Sequence, residues 1–219
     1  MSQQSPVIFA FGLGDSYQQT ILLQVHGSLM NKIAEQAVLT QARNTQQALD
    51  LLDGDNKPKA IFVTDAGVAT SNNNSVTDKL MNFARDGGTV VLGGSFSSSI
   101  RPSDLRKYFR KWNLPWKNGS YHRTTVHLNQ SAGGVPGRGL PSSYSQKALF
   151  LSGVDRNAAW YLPNESSRTE SHVFTPEPVP TSETPAAFAK VGNGWLGYIG
   201  DVNGEEDTDA VVLGMLGLL

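Results

Sequence analysis

TVVLGGSFSSS, residues 89–99, opens on an apolar β-branched run (Val90, Val91, Leu92), passes through Gly93-Gly94 and lands on Ser95 and a small polar tract. A buried strand of an open α/β sheet ends in this way: glycine permits a sharp turn, and a short residue is held over the carboxyl edge. In such sheets the crevice beyond the strand ends is where ligands and chemistry sit, so Ser95 and its neighbours are the first place to look for a site.

Upstream, the same pattern repeats three times. Residues 7–12 (VIFAFG) read as a strand covered on both faces, 37–42 (AVLTQA) as a short second strand and 60–65 (AIFVTD) as a third. Helical spacers separate them. Ile21, Leu22, Val25, Leu29 and Ile33 recur at three and four residues behind a cap at Asp15 or Ser16. Asn44 caps a helix that turns Ala48, Leu49 and Leu52 inward and ends at Gly54. Ser75 or Thr77 starts another, with Val76, Leu80, Met81 and Phe83 apolar, which stops at Gly87-Gly88. This β-α-β-α-β-α-β order implies parallel strands with right-handed crossovers. The expectation is one α/β domain over residues 1–219, a flavodoxin-like three-layer sandwich with a mostly parallel sheet.

Downstream, the order loosens. Ser103 or Asp104 caps a helix (DLRKYFRKWN) with Leu105, Tyr108, Phe109 and Trp112 inward, and YHRTTVHL (121–128) alternates as a strand. Residues 129–145 read as a loop, 146–162 as mixed signals, and 163–185 as an extended, proline-rich segment able to fold over the strand ends. Residues 186–191 and 195–199 flank Gly192-Asn193-Gly194, an edge hairpin available for pairing with a second copy. Asp207 or Thr208 caps a last apolar helix.

The chain has 219 residues, is 39% hydrophobic and carries a net charge of −1, which disfavours a general nucleic-acid binder. It has no cysteine, hence no disulfide, thiolate metal site or thiol nucleophile. No stretch approaches the roughly 20 apolar residues of a membrane helix. The N-terminal residues lack a basic n-region, so a cytoplasmic location is expected.

The βαβ half, the strand-Gly-Gly-x turn and the late GNGWLGYIGDVNGEED hairpin together resemble the class I glutamine amidotransferase-like superfamily, in its ThuA-like and fungal branches. The glutaminase members of that superfamily present a cysteine on a Gly-x-Cys-x-Gly elbow. The matching positions here read Gly93-Gly94-Ser95-Phe96-Ser97, so the resemblance puts Ser95 in the nucleophile's place. Asp65-Ala66-Gly67 stands where that superfamily has its oxyanion-hole loop, and Asp201-Val202-Asn203 stands where it has His-Pro-Glu. With thiol and histidine both lost, glutamine hydrolysis is not expected, because a serine hydroxyl needs an adjacent base far more than a thiol does.

The expected site is therefore a crevice formed by Asp65, Ala66, Gly67, Gly93, Gly94, Phe96, Ser97 and Asn203, taking a small polar ligand or a partner. A second reading makes Ser95 the nucleophile of an amide or ester hydrolase. Its base would be His122, His127 or, best placed, His172, with Asp201 as a further acid. His26 reads as structural. A third reading is assembly through sheet edges into a homo-oligomer.

Other features carry competing readings. Asp65, Asp201, Glu205, Glu206 and Asp207 suggest a hard-cation site, but none has ligand-loop spacing, so no metal and no cofactor are expected. Gly12-Leu13-Gly14 hints at an anion loop without completing a dinucleotide fingerprint. Between Arg101 and Arg123 lie seven basic residues against Asp104 alone, with Tyr108, Trp112 and Trp116 interleaved, read either as a partner or polyanion surface or as the wet face of an amphipathic helix with its aromatics in the core.

Overall fold

The computed structural model describes residues 5–171 and 173–219. Strands β1 (Val7–Phe11), β2 (Val38–Ala42), β3 (Ala60–Val63) and β4 (Thr89–Leu92) form where the apolar runs predict them, joined by helices α1 (Ser16–Gln36), α2 (Thr45–Asp53) and α3 (Asn74–Arg85). The caps follow the sequence at two starts: the carboxylate of Asp15 accepts from the Gln18 amide at 2.9 Å, and Asn44 Oδ1 from the Gln47 amide at 2.9 Å. Beyond the glycine turn come a single helical turn, α4 (Phe96–Ser99), and α5 (Pro102–Lys111). Helix α5 is started by Pro102 at its first turn and not by a Ser103 or Asp104 cap, since proline's missing N–H costs nothing there.

The remaining strands are β5 (Lys117–Leu128), β6 (Ser143–Ser152), β7 (Ala159–Leu162), β8 (Ala186–Val191) and β9 (Gly194–Ile199), followed by α6 (Glu206–Met215). All nine strands form one sheet in the order β2-β1-β3-β4-β9-β8-β7-β5-β6. The ladders from β2 to β9 are parallel and those from β9 to β6 antiparallel, so the sheet is mixed and not mostly parallel. Two things hid this from the sequence. Residues 143–145, read as loop, extend β6 into a long ribbon with β5. The late hairpin is not at an edge: β9 pairs with β4 and β8 with β7. Its two strands, AAFAKV and GWLGYI, are buried almost throughout, which only an interior position allows.

Helices cover both faces. On one, Leu29, Met30 and Ile33 of α1 join Val211, Val212 and Met215 of α6; on the other, Ala48, Leu80, Leu105 and Phe109 from α2, α3 and α5 pack with Trp112 and Trp116. The aromatic residues of the basic run are thus core, and its charged residues face out. The proline-rich segment runs along the open side of β5, where the Glu170 amide donates to the Arg123 carbonyl at 2.9 Å and Ser167 Oγ to the Thr125 carbonyl at 2.9 Å. Its described residues therefore close a strand edge, in place of the lid over the strand ends that the sequence suggested. Among the described residues no helix is long and apolar enough to cross a membrane.

Candidate functional site

The chain leaves β1 toward β2 on one side and returns to β3 on the other, so the two loops that follow β1 and β3 diverge at a topological switch point. Leu13-Gly14 and Asp65-Ala66-Gly67 meet there. The Asp65 carboxylate accepts from the amides of Leu13 (3.2 Å), Gly14 (3.0 Å) and Gly67 (2.8 Å). Burial pushes this carboxyl above the ordinary aspartate value, and the Gly14, Gly67 and Leu13 amides pull the other way. Of the amides that suggested an anion loop, those of Leu13 and Gly14 are thus spent on Asp65, and that of Gly12 donates to the Ala42 carbonyl at 2.9 Å. The loops approach so closely that a Cβ at Gly67 would lie 2.3 Å from the Leu13 carbonyl carbon.

The turn after β4 is as sharp as expected, and glycine permits it: Gly94 takes the left-handed position, at φ +57°. A side chain at that position would meet the Thr64 carbonyl at 2.9 Å. Ser95, one residue later, is 2% exposed and donates its hydroxyl to the Thr64 carbonyl at 3.1 Å, while its amide donates to the same oxygen at 2.8 Å. The turn offers no side chain above the sheet. Among the described residues no histidine reaches that hydroxyl: His122 stacks on Phe150 at 4.5 Å, His127 lies in β5 opposite Ser143, and His26 is buried in α1. His172, the expected base, lies outside the described residues.

Asp201 does come to the same edge, at the end of β9. Its carboxylate accepts from the amides of Asn203 (2.9 Å) and Glu205 (2.7 Å), folding the turn that starts α6. The helix is led in by this carboxylate, not by a side-chain cap from Asp207 or Thr208. Ser97 Oγ donates to the Gly200 carbonyl at 3.1 Å, tying the β4 turn to the β9 turn. Phe96 is fully buried between Tyr108 and Tyr198, at 5.8 and 6.4 Å. Gly93, Gly94, Phe96 and Ser97 are therefore brought to the expected edge but lie beneath its surface, as packing and struts. Among the described residues no group of three His, Asp or Glu side chains is placed to hold a metal.

What remains open at the switch point is a cleft of about 480 Å³ whose walls include Leu13, Gly14, Ala66, Gly67, Thr70 and Ser99. Gln18, Asp15, Arg101 and Asp104 also border it. Ser99 Oγ accepts from the Ala66 amide at 3.1 Å and donates to the Ser95 carbonyl at 2.6 Å, so the quoted polar tract builds this wall. Ala66 and Gly67 were legible from the sequence. Gln18 and Thr70 carried no signal, because only the crossing of two chain segments brings them together. Asn203 lies elsewhere, on a groove shared with Tyr121, Lys147 and Phe174.

The three-layer α/β sandwich, with a sharp glycine turn after its fourth strand and no cysteine in the sequence, has counterparts among solved structures. Two solved structures described as ThuA-like share it. One, from Bacteroides uniformis, superimposes with a TM-score of 0.61 at 9% identity, over 100% of this chain and 93% of that one. The other, from Parabacteroides merdae, gives 0.57 at 10% identity over 98% and 89%. The β-galactosidase of Rahnella sp. R3 matches 99% of this chain with 32% of its own length, at a TM-score of 0.52 and 12% identity. No family model matches the sequence, and no curated protein matches it in sequence.

Proposed function

We propose that the protein binds a small polar ligand in the switch-point cleft and has no glutaminase activity. The observation that carries this reading is the cleft itself, placed where open α/β sheets take ligands and walled by hydroxyl, amide and both signs of charge. The electrostatics narrow the ligand. Asp15 and Asp104 stand at the rim beside Arg101, and the amides below are spent on Asp65, so a phosphate finds few free donors. An uncharged or zwitterionic molecule suits the site better. Against a hydrolase stand the missing thiol, the glycine at the elbow's left-handed position and the inward hydroxyl of Ser95.

The test is a calorimetric screen of polyols, sugars and amino acids against the purified chain, repeated on Gln18→Ala and Arg101→Ala. The reading expects a saturable ligand whose affinity falls about tenfold in either variant. A ligand that binds both variants unchanged defeats the site assignment, and fluorophosphonate labelling at Ser95 defeats the non-hydrolytic reading.

A further inference from the structure

The basic run is only partly explained by the wet face of α5. Lys107 is paired with Asp104 at 3.4 Å, and Lys111 donates to Asn74 Oδ1 at 2.6 Å. Arg106 and Arg110, four residues apart and so on one stripe of the helix, have neither a hydrogen bond nor an ion pair among the described residues. Lys117, at the start of β5, has none either. These three cations surround one pocket of about 330 Å³, completed by Pro115, Trp116 and Gly153, with no acidic residue in its lining. Glu183, which lies against Gly119 of the same strand, accepts from the Ser120 amide at 2.8 Å.

Like charges four apart on a helix repel, at a cost of about 0.2–0.5 kcal/mol per pair in isolated helices, and here a third cation is added without relief. Trp116 makes the floor firm: it is 2% exposed and locked edge-on against Phe109 at 5.0 Å. A pocket of this size lies at the small end of ligand sites. Two guanidinium forks and an ammonium suit the several oxygens of a phosphoryl group better than a single carboxylate.

We infer that the pocket between α5 and the start of β5 binds the diphosphate group of a small molecule through Arg106, Arg110 and Lys117. It is built from residues none of which lines the switch-point cleft, so either site can fail without the other. A pocket of about 330 Å³ suits a compact diphosphate better than a polymer lying across the surface.

Calorimetric titration with inorganic pyrophosphate, at low salt to limit screening, tests it. Saturable one-to-one binding is expected, with sulfate at equal ionic strength binding at least about tenfold more weakly. Arg106→Ala, Arg110→Ala and Lys117→Ala should each lose about tenfold or more, while Lys107→Ala and Lys111→Ala, on the neighbouring stripe, change affinity less than about twofold. Circular dichroism confirms that these surface variants are folded. The proposal is overturned if pyrophosphate does not saturate, if all five variants lose affinity equally, if sulfate competes as well as pyrophosphate, or if duplex DNA binds and pyrophosphate does not.

Discussion

At the strand ends the buried carboxylates are answered by backbone amides, whereas on the α5–β5 surface three cations find no partner among the described residues. Asp65 and Asp201, 2% and 1% exposed, give their oxygens to backbone amides of the loops they organise. Arg106, Arg110 and Lys117 surround open space. The difference follows from solvation. A buried carboxylate without partners costs several kcal/mol, so the fold must supply them, while an exposed cation stays hydrated and costs little. An acid just past a strand is therefore no sign of catalysis by itself. Once buried among loop amides, it becomes a strut, and the groups left for a solute are those the fold has not used.

Substitution separates the two regions most sharply at Asp65. Asp65→Ala orphans the amides of Leu13, Gly14 and Gly67, and is expected to lower the unfolding free energy by about 3 kcal/mol or more in urea melts. A change below about 1 kcal/mol would mean that solvent replaces the carboxylate and that the strut account is wrong.

A smaller effect is expected with pH. Burial raises the Asp65 pKa in the native state, so between the ordinary aspartate value of 3.8 and the native value the folded chain binds more protons than the unfolded one. Stability contributed by this residue is therefore lost as pH rises through that window. Asp65→Asn should remove this component of the pH profile when melts are repeated in steps from about pH 3.5 to pH 7. A profile identical to that of the unsubstituted chain would show that the native carboxyl titrates at its ordinary value.

The least effect is expected on the basic surface. Arg106→Ala or Arg110→Ala relieves repulsion and leaves no buried group unpaired, so melts in the absence of anions should move by no more than about 0.5 kcal/mol, in the stabilising direction. A loss above about 1 kcal/mol would assign these side chains to packing and end the contrast with Asp65.

The legible half of the molecule is the part where neighbours in sequence are neighbours in the sheet's build order. In the β-α-β units, strand apolarity, helix spacing and caps such as Asp15 and Asn44 act locally and were readable. The late hairpin was readable as a hairpin, but its docking between β4 and β7 was not, since that depends on partners about a hundred residues upstream in one case. The walls of the candidate cleft were half legible for the same reason. Asp65, Ala66 and Gly67 follow a strand and were placed at the crevice, while Ser95 was expected over the strand edge and is buried with its hydroxyl on the Thr64 carbonyl.

By itself the sequence determined the alternation of strands and helices, the sharp turn after Leu92, the absence of a thiol nucleophile and the excess of cations after Arg101, because each is a property of residue type at short spacing. Tertiary structure alone decided that the sheet is half antiparallel, that the Ser95 hydroxyl turns to the Thr64 carbonyl, that the amides of Leu13 and Gly14 belong to Asp65, and which basic side chains have no partner among the described residues. Those outcomes depend on which polar groups meet across the packed chain. Such meetings are fixed by burial and by hydrogen-bond supply over long separations, and neither is encoded in local pattern.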